Sequence, residues 1–278
     1  MVSSAPMMPQ AQRILLLIVL LVMSIGIIFF VDPVPQDLSY HNFADTRGWL
    51  GIPNFGNVAS NAGFLVVGAI ALAALIYRRG ELFRTPADAR PYLIFFVGVT
   101  LVSLGSGYYH WAPSNASLLW DRLPMSIAFM AISAAVVADR INAPAGNSWV
   151  LAVLLVLGLA SLFYWDWTEA LGSGDLRFYG LVQFLPMLAL PIIVWAFHDH
   201  YYTVGRYLGW VIAWYGLSKL LEFFDQGILE LTGNLISGHS LKHLAAAVAT
   251  YVVLRMLIAS NVQPALAPHM GRTRTKTS

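Results

Sequence analysis

Two short stretches hold residue types that could do chemistry together. Ser106-Gly-Tyr-Tyr-His110 ends one apolar run, and His239-Ser-Leu-Lys-His243 begins another, with Asp121 following the first histidine after a short loop. On a helix, residues four apart share a face, so His239 and His243 can point at one ion and Ser106 sits one turn below His110. Three imidazoles that leave a fourth position open are the ligand set of a catalytic zinc rather than a structural one, although iron and manganese remain open by ligand type. An acid beside such an ion can accept a proton from water, which is the role expected of Asp121. The plainer readings of Asp121 are a helix N-terminal acid or a pair with Arg122. Ser106 would donate to the water or to a developing oxyanion, or else only bond its own helix backbone.

The elements that must position these residues are membrane helices. The chain has 278 residues, 58% hydrophobic and 11% charged, with a mean hydropathy of +0.67. A soluble domain carries about 25% charged residues. The fold class expected is therefore all-α, a polytopic helical bundle. Stretches near the roughly 20 residues needed to cross a bilayer occur eight times, at 13–31, 54–77, 91–111, 118–138, 148–164, 180–198, 206–224 and 239–260. Residues 1–35 form a stub and a first, uncleaved span, because Phe29-Phe30-Val31-Asp32-Pro33 follows the apolar run where a cleavage site would stand. Residues 36–262 form a seven-span bundle, and 263–278 a disordered cytoplasmic tail.

With eight spans both termini share a side. Of the 16 Lys and Arg, 11 fall on that side and only Arg47 and Arg177 on the other. The positive-inside rule puts both termini in the cytoplasm. His110, Asp121, His239 and His243, from three spans, then lie at one depth near the non-cytoplasmic face. Acids such as Asp45, Glu169 and Asp175 occupy the opposite loops. A bacterial-type inner membrane is the simplest location, since no terminal Lys-Asp-Glu-Leu is present.

Other features admit structural explanations. Lys219 and Glu222 suit an intramembrane ion pair. Lys242, about 100° round the helix from each neighbour, would snorkel. Trp111, Trp120, Trp149, Trp165 and Trp167 suit an interfacial belt. Pro186 and Pro191 should bend their span and open a cavity. His41, His198, His200 and His269 receive no role. No cysteine is present, which excludes disulfides and thiolate chemistry. The basic residues are too scattered for a nucleic-acid surface.

The pattern Ser106-x-x-x-His110, Asp121, His239-x-x-x-His243 resembles the signature of the alkaline ceramidase family, part of a superfamily that includes the adiponectin-type receptors. The resemblance covers roughly residues 40–260. It includes the run from Phe43 to Asn61, where an Asn-x-x-Ser-Asn pattern leads into a span. It implies a seven-span zinc hydrolase that cleaves ceramide, or a ceramide-like N-acyl lipid, to a fatty acid and a sphingoid base. His110, His239 and His243 would be the ligands, with Asp121 and Ser106 assisting. A metal-containing receptor and an ester-cleaving phospholipase are the alternatives within the superfamily. The first span is additional to the family's seven. Animal members carry a calcium site before their first span; here only Asp45 and Asn54 correspond, and Arg47 beside them argues against calcium.

Overall fold

A computed structural model describes residues 8–260, and the tail expected over 263–278 lies outside them. The described residues hold eight long helices: α1 (Gln10–Phe30), α2 (Phe55–Tyr77, interrupted only at Asn61), α3 (Ala89–Trp111), α4 (Asn115–Arg140), α5 (Trp149–Ala170), α6 (Arg177–Ala196), α7 (Gly205–Phe223) and α8 (Gly238–Ala259). Each coincides with one expected span. Among the described residues there is no β-strand, so the protein is an all-α polytopic bundle.

Seven of the eight are long and apolar enough to cross a membrane; α7 is the exception, although it runs beside α8. Its 19 residues include Arg206, Lys219 and Glu222. Two of these charges turn inward, so the helix is polar because of what it contributes to the interior. Large apolar side chains such as Leu65, Ile70, Val156, Phe184 and Trp210 face outward and exposed. The protein is an integral membrane protein, and that surface meets lipid.

In lipid, helices gain little from burying apolar surface against one another and associate through close packing instead. Accordingly α3 and α4 meet at small residues. At Gly105 a Cβ would collide with the carbonyl of Trp120, so this glycine sets how closely Ser106 approaches α4. Around that seam the order of contact runs α7, α8, α2, α3, α4, with α5 and α6 closing behind α4. Of the neighbouring long helices, α6 and α7 touch most sparingly. Pro186 and Pro191 both lie within α6, which continues through them.

Helix ends are fixed by side chains. Ser114 and Ser117 form a capping box that starts α4 at Asn115, and Ser237 caps α8. Asp121 therefore stands in the second turn of α4. The N-terminal-acid reading, which needs the first turn, does not apply. Helix α1 has no buried residue and lies at the periphery against α6. Its exit is held by Arg177, which donates to the carbonyls of Ile28 (3.1 Å) and Val31 (2.5 Å).

Candidate metal centre and cavity

The end of α3 and the start of α8 bring the three histidines together. Nε2 of His110 stands 3.2 Å from Nε2 of His243 and 3.3 Å from Nε2 of His239. One nitrogen from each lies within 4.8 Å of the others, and all three residues are buried. Two imidazoles on a tetrahedral zinc stand roughly 3.3 Å apart, given Zn–N bonds of about 2.0–2.1 Å. The trio could hold a metal ion. Among the described residues it is the only such group of three or more.

Hydrogen bonding around His243 shows which nitrogen is free. Ser60 donates its one hydroxyl proton to the carbonyl of Asn57 at 3.0 Å. Its oxygen, 2.8 Å from Nδ1 of His243, can then only accept from that ring. With the hydroxyl so turned, the proton sits on Nδ1 and Nε2, 3.2 Å from Nε2 of His110, is the nitrogen left for a metal. Orientation of a ligand by its second nitrogen is the usual support for a metal-binding histidine. Asn57 continues the tie, its side-chain oxygen accepting from Ser240 (2.9 Å) and Ser237 (3.3 Å) at the start of α8. Ser60 and Asn57 thus belong to the site, and the Asn-x-x-Ser-Asn run was their signal in the sequence.

The start of α8 is itself clamped. Asp225 accepts from the backbone N–H of His239 (2.7 Å) and of Ala44 (3.1 Å), joining the helix to the N-terminal loop. That loop lays Phe43 edge-on across the histidines, with ring centroids 4.6 Å from His110 and 5.0 Å from His239. Gly238 makes room for this arrangement, because a Cβ there would strike the carbonyl of Leu221 and stand 2.8 Å from the Cα of Asp225.

Ser106 and Asp121 face one another across the α3–α4 seam. Both, with His243, open onto a cavity of about 170 Å³. Its deeper wall is apolar, with Phe95, Met125, Leu190, Val211 and Val253 among the lining residues. Bending of α6 was the expected origin of a cavity, and Gln183, Met187 and Leu190 of that helix do line it.

Several expectations are corrected. Lys242 does not snorkel: its ammonium lies inside, 2.7 Å from Oε1 of Glu222 and 3.0 Å from Nε2 of His239. Residues three apart are helix neighbours, and a lysine long enough to fold back reaches both. The Lys219–Glu222 pair is present at 2.9 Å but is one arm of a larger cluster, in which Tyr40 also donates to Glu222 (3.1 Å). Asp121 does not pair with Arg122, whose Nη2 donates to Gln36 Oε1 at 2.7 Å. Trp165 is fully buried against Arg122, whereas Trp111, Trp120, Trp149 and Trp167 are exposed as a belt requires. His41 bridges the Tyr109 hydroxyl (2.9 Å) and Asn115 Oδ1 (3.0 Å), fastening the loop to α3 and α4. His198 and His200 stay in an exposed loop, and His269 lies outside the described residues.

Asp45 and Asn54 do not assemble a cation site. Both Asp45 oxygens are taken by Arg47, at 2.8 and 2.7 Å, and these bonds hold its carboxyl below the usual range. Asn54 donates to the carbonyl of His110 at 2.8 Å.

No protein-family model matches the chain, and no curated protein matches it.

Proposed function

We propose that this protein is a zinc-dependent hydrolase of the membrane that cleaves the amide of ceramide, or of a ceramide-like N-acyl lipid, giving a fatty acid and an amino base. One observation carries the reading. Three imidazoles, with Nε2 of His110 3.2 Å from that of His243 and 3.3 Å from that of His239, stand beside a serine and an acid at the polar head of an apolar cavity. A divalent ion held by His110, His239 and His243 would supply Lewis acidity, activating a water and polarising an acyl carbonyl. The likeness of this constellation to the alkaline ceramidase signature supports the same chemistry.

The chain's own residues divide the remaining work. Asp121 takes the proton of the attacking water and returns it to the departing amine. Ser106, one turn from His110, donates to the water or to the acyl oxygen as negative charge gathers there. Ser60 holds His243 in the tautomer that leaves Nε2 free. The apolar depth of the cavity takes the acyl chain and keeps bulk water away, and the loose α6–α7 seam is where a lipid would pass in from the bilayer. By the distribution of Lys and Arg, the site opens toward the non-cytoplasmic leaflet and both termini lie in the cytoplasm.

The test is fatty acid release by purified protein from a panel of N-acyl and O-acyl lipids. Release from N-acyl lipids by the wild type, with Asp121→Asn losing release yet keeping its zinc, is the expected result. No release from any lipid by zinc-loaded protein would defeat the reading and favour a receptor.

A further inference from the structure

Arg122 is a buried cation with no buried anion to match it. It is 8% exposed, and among the described residues no carboxylate lies within ion-pair distance. Its guanidinium is held from behind: Nη2 donates to Gln36, and Cζ lies 4.5 Å from the Trp165 ring and 4.9 Å from that of Tyr179. The holders are themselves anchored, since the Gln36 backbone N–H (2.6 Å) and the Trp165 indole N–H (3.1 Å) both donate to Oε1 of Glu169. Nη1 has no partner, and Arg122 lines the cavity beside Asp121.

The rest of the cavity head does not supply the missing charge. Glu222 is saturated by Lys219, Lys242 and Tyr40. That leaves three cations against Asp121 and Glu222, before any metal adds to them. Aromatic faces offset only part of the cost of an unpaired guanidinium at this depth. A planar fork pre-set by stacking, with Nη1 unpartnered on a residue that lines the cavity, suits a carboxylate or phosphate.

We propose that Arg122 is a specificity-determining residue and that, among N-acyl lipids, this cavity takes one bearing an anionic group within a few bonds of the bond cleaved in preference to neutral ceramide. This rests on the hydrolase reading for its substrate class, but the recognition of an anion does not. The sharpest comparison is N-oleoylglycine with N-oleoylethanolamine, which share acyl chain and amide and differ in a carboxylate against a hydroxyl.

Wild-type protein should favour N-oleoylglycine by roughly ten- to hundredfold in kcat/KM, the scale of a charge-assisted hydrogen bond. Arg122→Gln should erase that preference while retaining turnover of N-oleoylethanolamine, and Arg122→Lys should keep part of it. A wild type that does not discriminate, or a preference that survives Arg122→Gln, overturns the proposal. Should Arg122→Gln fail to fold, Arg122→Lys is read alone: a reduced preference supports the proposal and an unchanged one overturns it. If neither amide is cleaved, thermal stabilisation by dodecyl phosphate over dodecanol decides. Stabilisation that depends on Arg122 upholds anion recognition while the hydrolase reading falls, and its absence overturns both. Arg122-dependent inhibition by free oleate without any preference for N-oleoylglycine assigns the anion to the product and also overturns the proposal.

Discussion

Lys242 holds its ammonium 3.0 Å from Nε2 of His239, on the nitrogen that the metal would need, and 2.7 Å from Glu222. Ammonium and metal ion compete for one lone pair, and the positive charge opposes a second cation nearby. Lys242→Gln should therefore tighten zinc binding by about tenfold or more, a change of about 1.4 kcal/mol. Competition against a chelator of known affinity measures it. Weaker binding in the variant would mean that Lys242 supports the ligand set instead of contesting it.

Ser60 gives the opposite expectation. Without its hydroxyl, His243 loses the partner that fixes its tautomer, and supports of this kind are worth about 10- to 100-fold in metal affinity. Ser60→Ala should lower zinc affinity by that amount, and Ser60→Thr should restore most of it. Equal affinity in Ser60→Ala and wild type would remove Ser60 from the site.

Asp225 joins the start of α8 to the N-terminal loop through the N–H groups of His239 and Ala44. Asp225→Ala leaves both donors without that acceptor and should lower stability by about 1–3 kcal/mol. Because Ala44 is next to Phe43, the loop should also loosen over the histidines. Hydrogen exchange reads this directly: faster exchange at residues 43–45 and 239 is expected, and unchanged exchange there would contradict the clamp.

The Asp175–Arg177 pair makes stability depend on acid. Hydrogen bonds from Arg177 hold the Asp175 carboxyl down to about 2, below its ordinary value. The stabilisation is complete above about pH 4, where the unfolded carboxyl is also ionised, and is lost as pH falls through about 2. Asp175→Asn should unfold at lower temperature than wild type near pH 5, and the two should converge toward pH 2. A constant difference across that range would show that the pair contributes nothing through its charge.

Much of this arrangement is legible in the sequence, and the rest fails for identifiable reasons. Helical spacing alone puts His239 and His243 on one face, and the length of each apolar run puts His110 at the same end of the bundle. Lys242 is misplaced by considering only its neighbours in sequence, when its i−3 relation to His239 is what decides its direction. Asp121 and Arg122 look like a pair because they are adjacent, but a helix turns them about 100° apart, one toward Ser106 and the other toward Trp165. The Ser60–His243 bond spans 183 residues, and only the polar run at the start of α2 marks it. Glu222 reads as half of a pair within α7 until Lys242 of α8 is seen to reach it as well.

The central claim is that three imidazoles gather one metal ion, and metal content tests it most directly. Protein purified in detergent with zinc and then desalted should retain one zinc per chain, and His243→Ala, still folded by its thermal transition, should retain none. Folded wild-type protein that keeps no metal, or a variant that keeps it undiminished, would contradict the account.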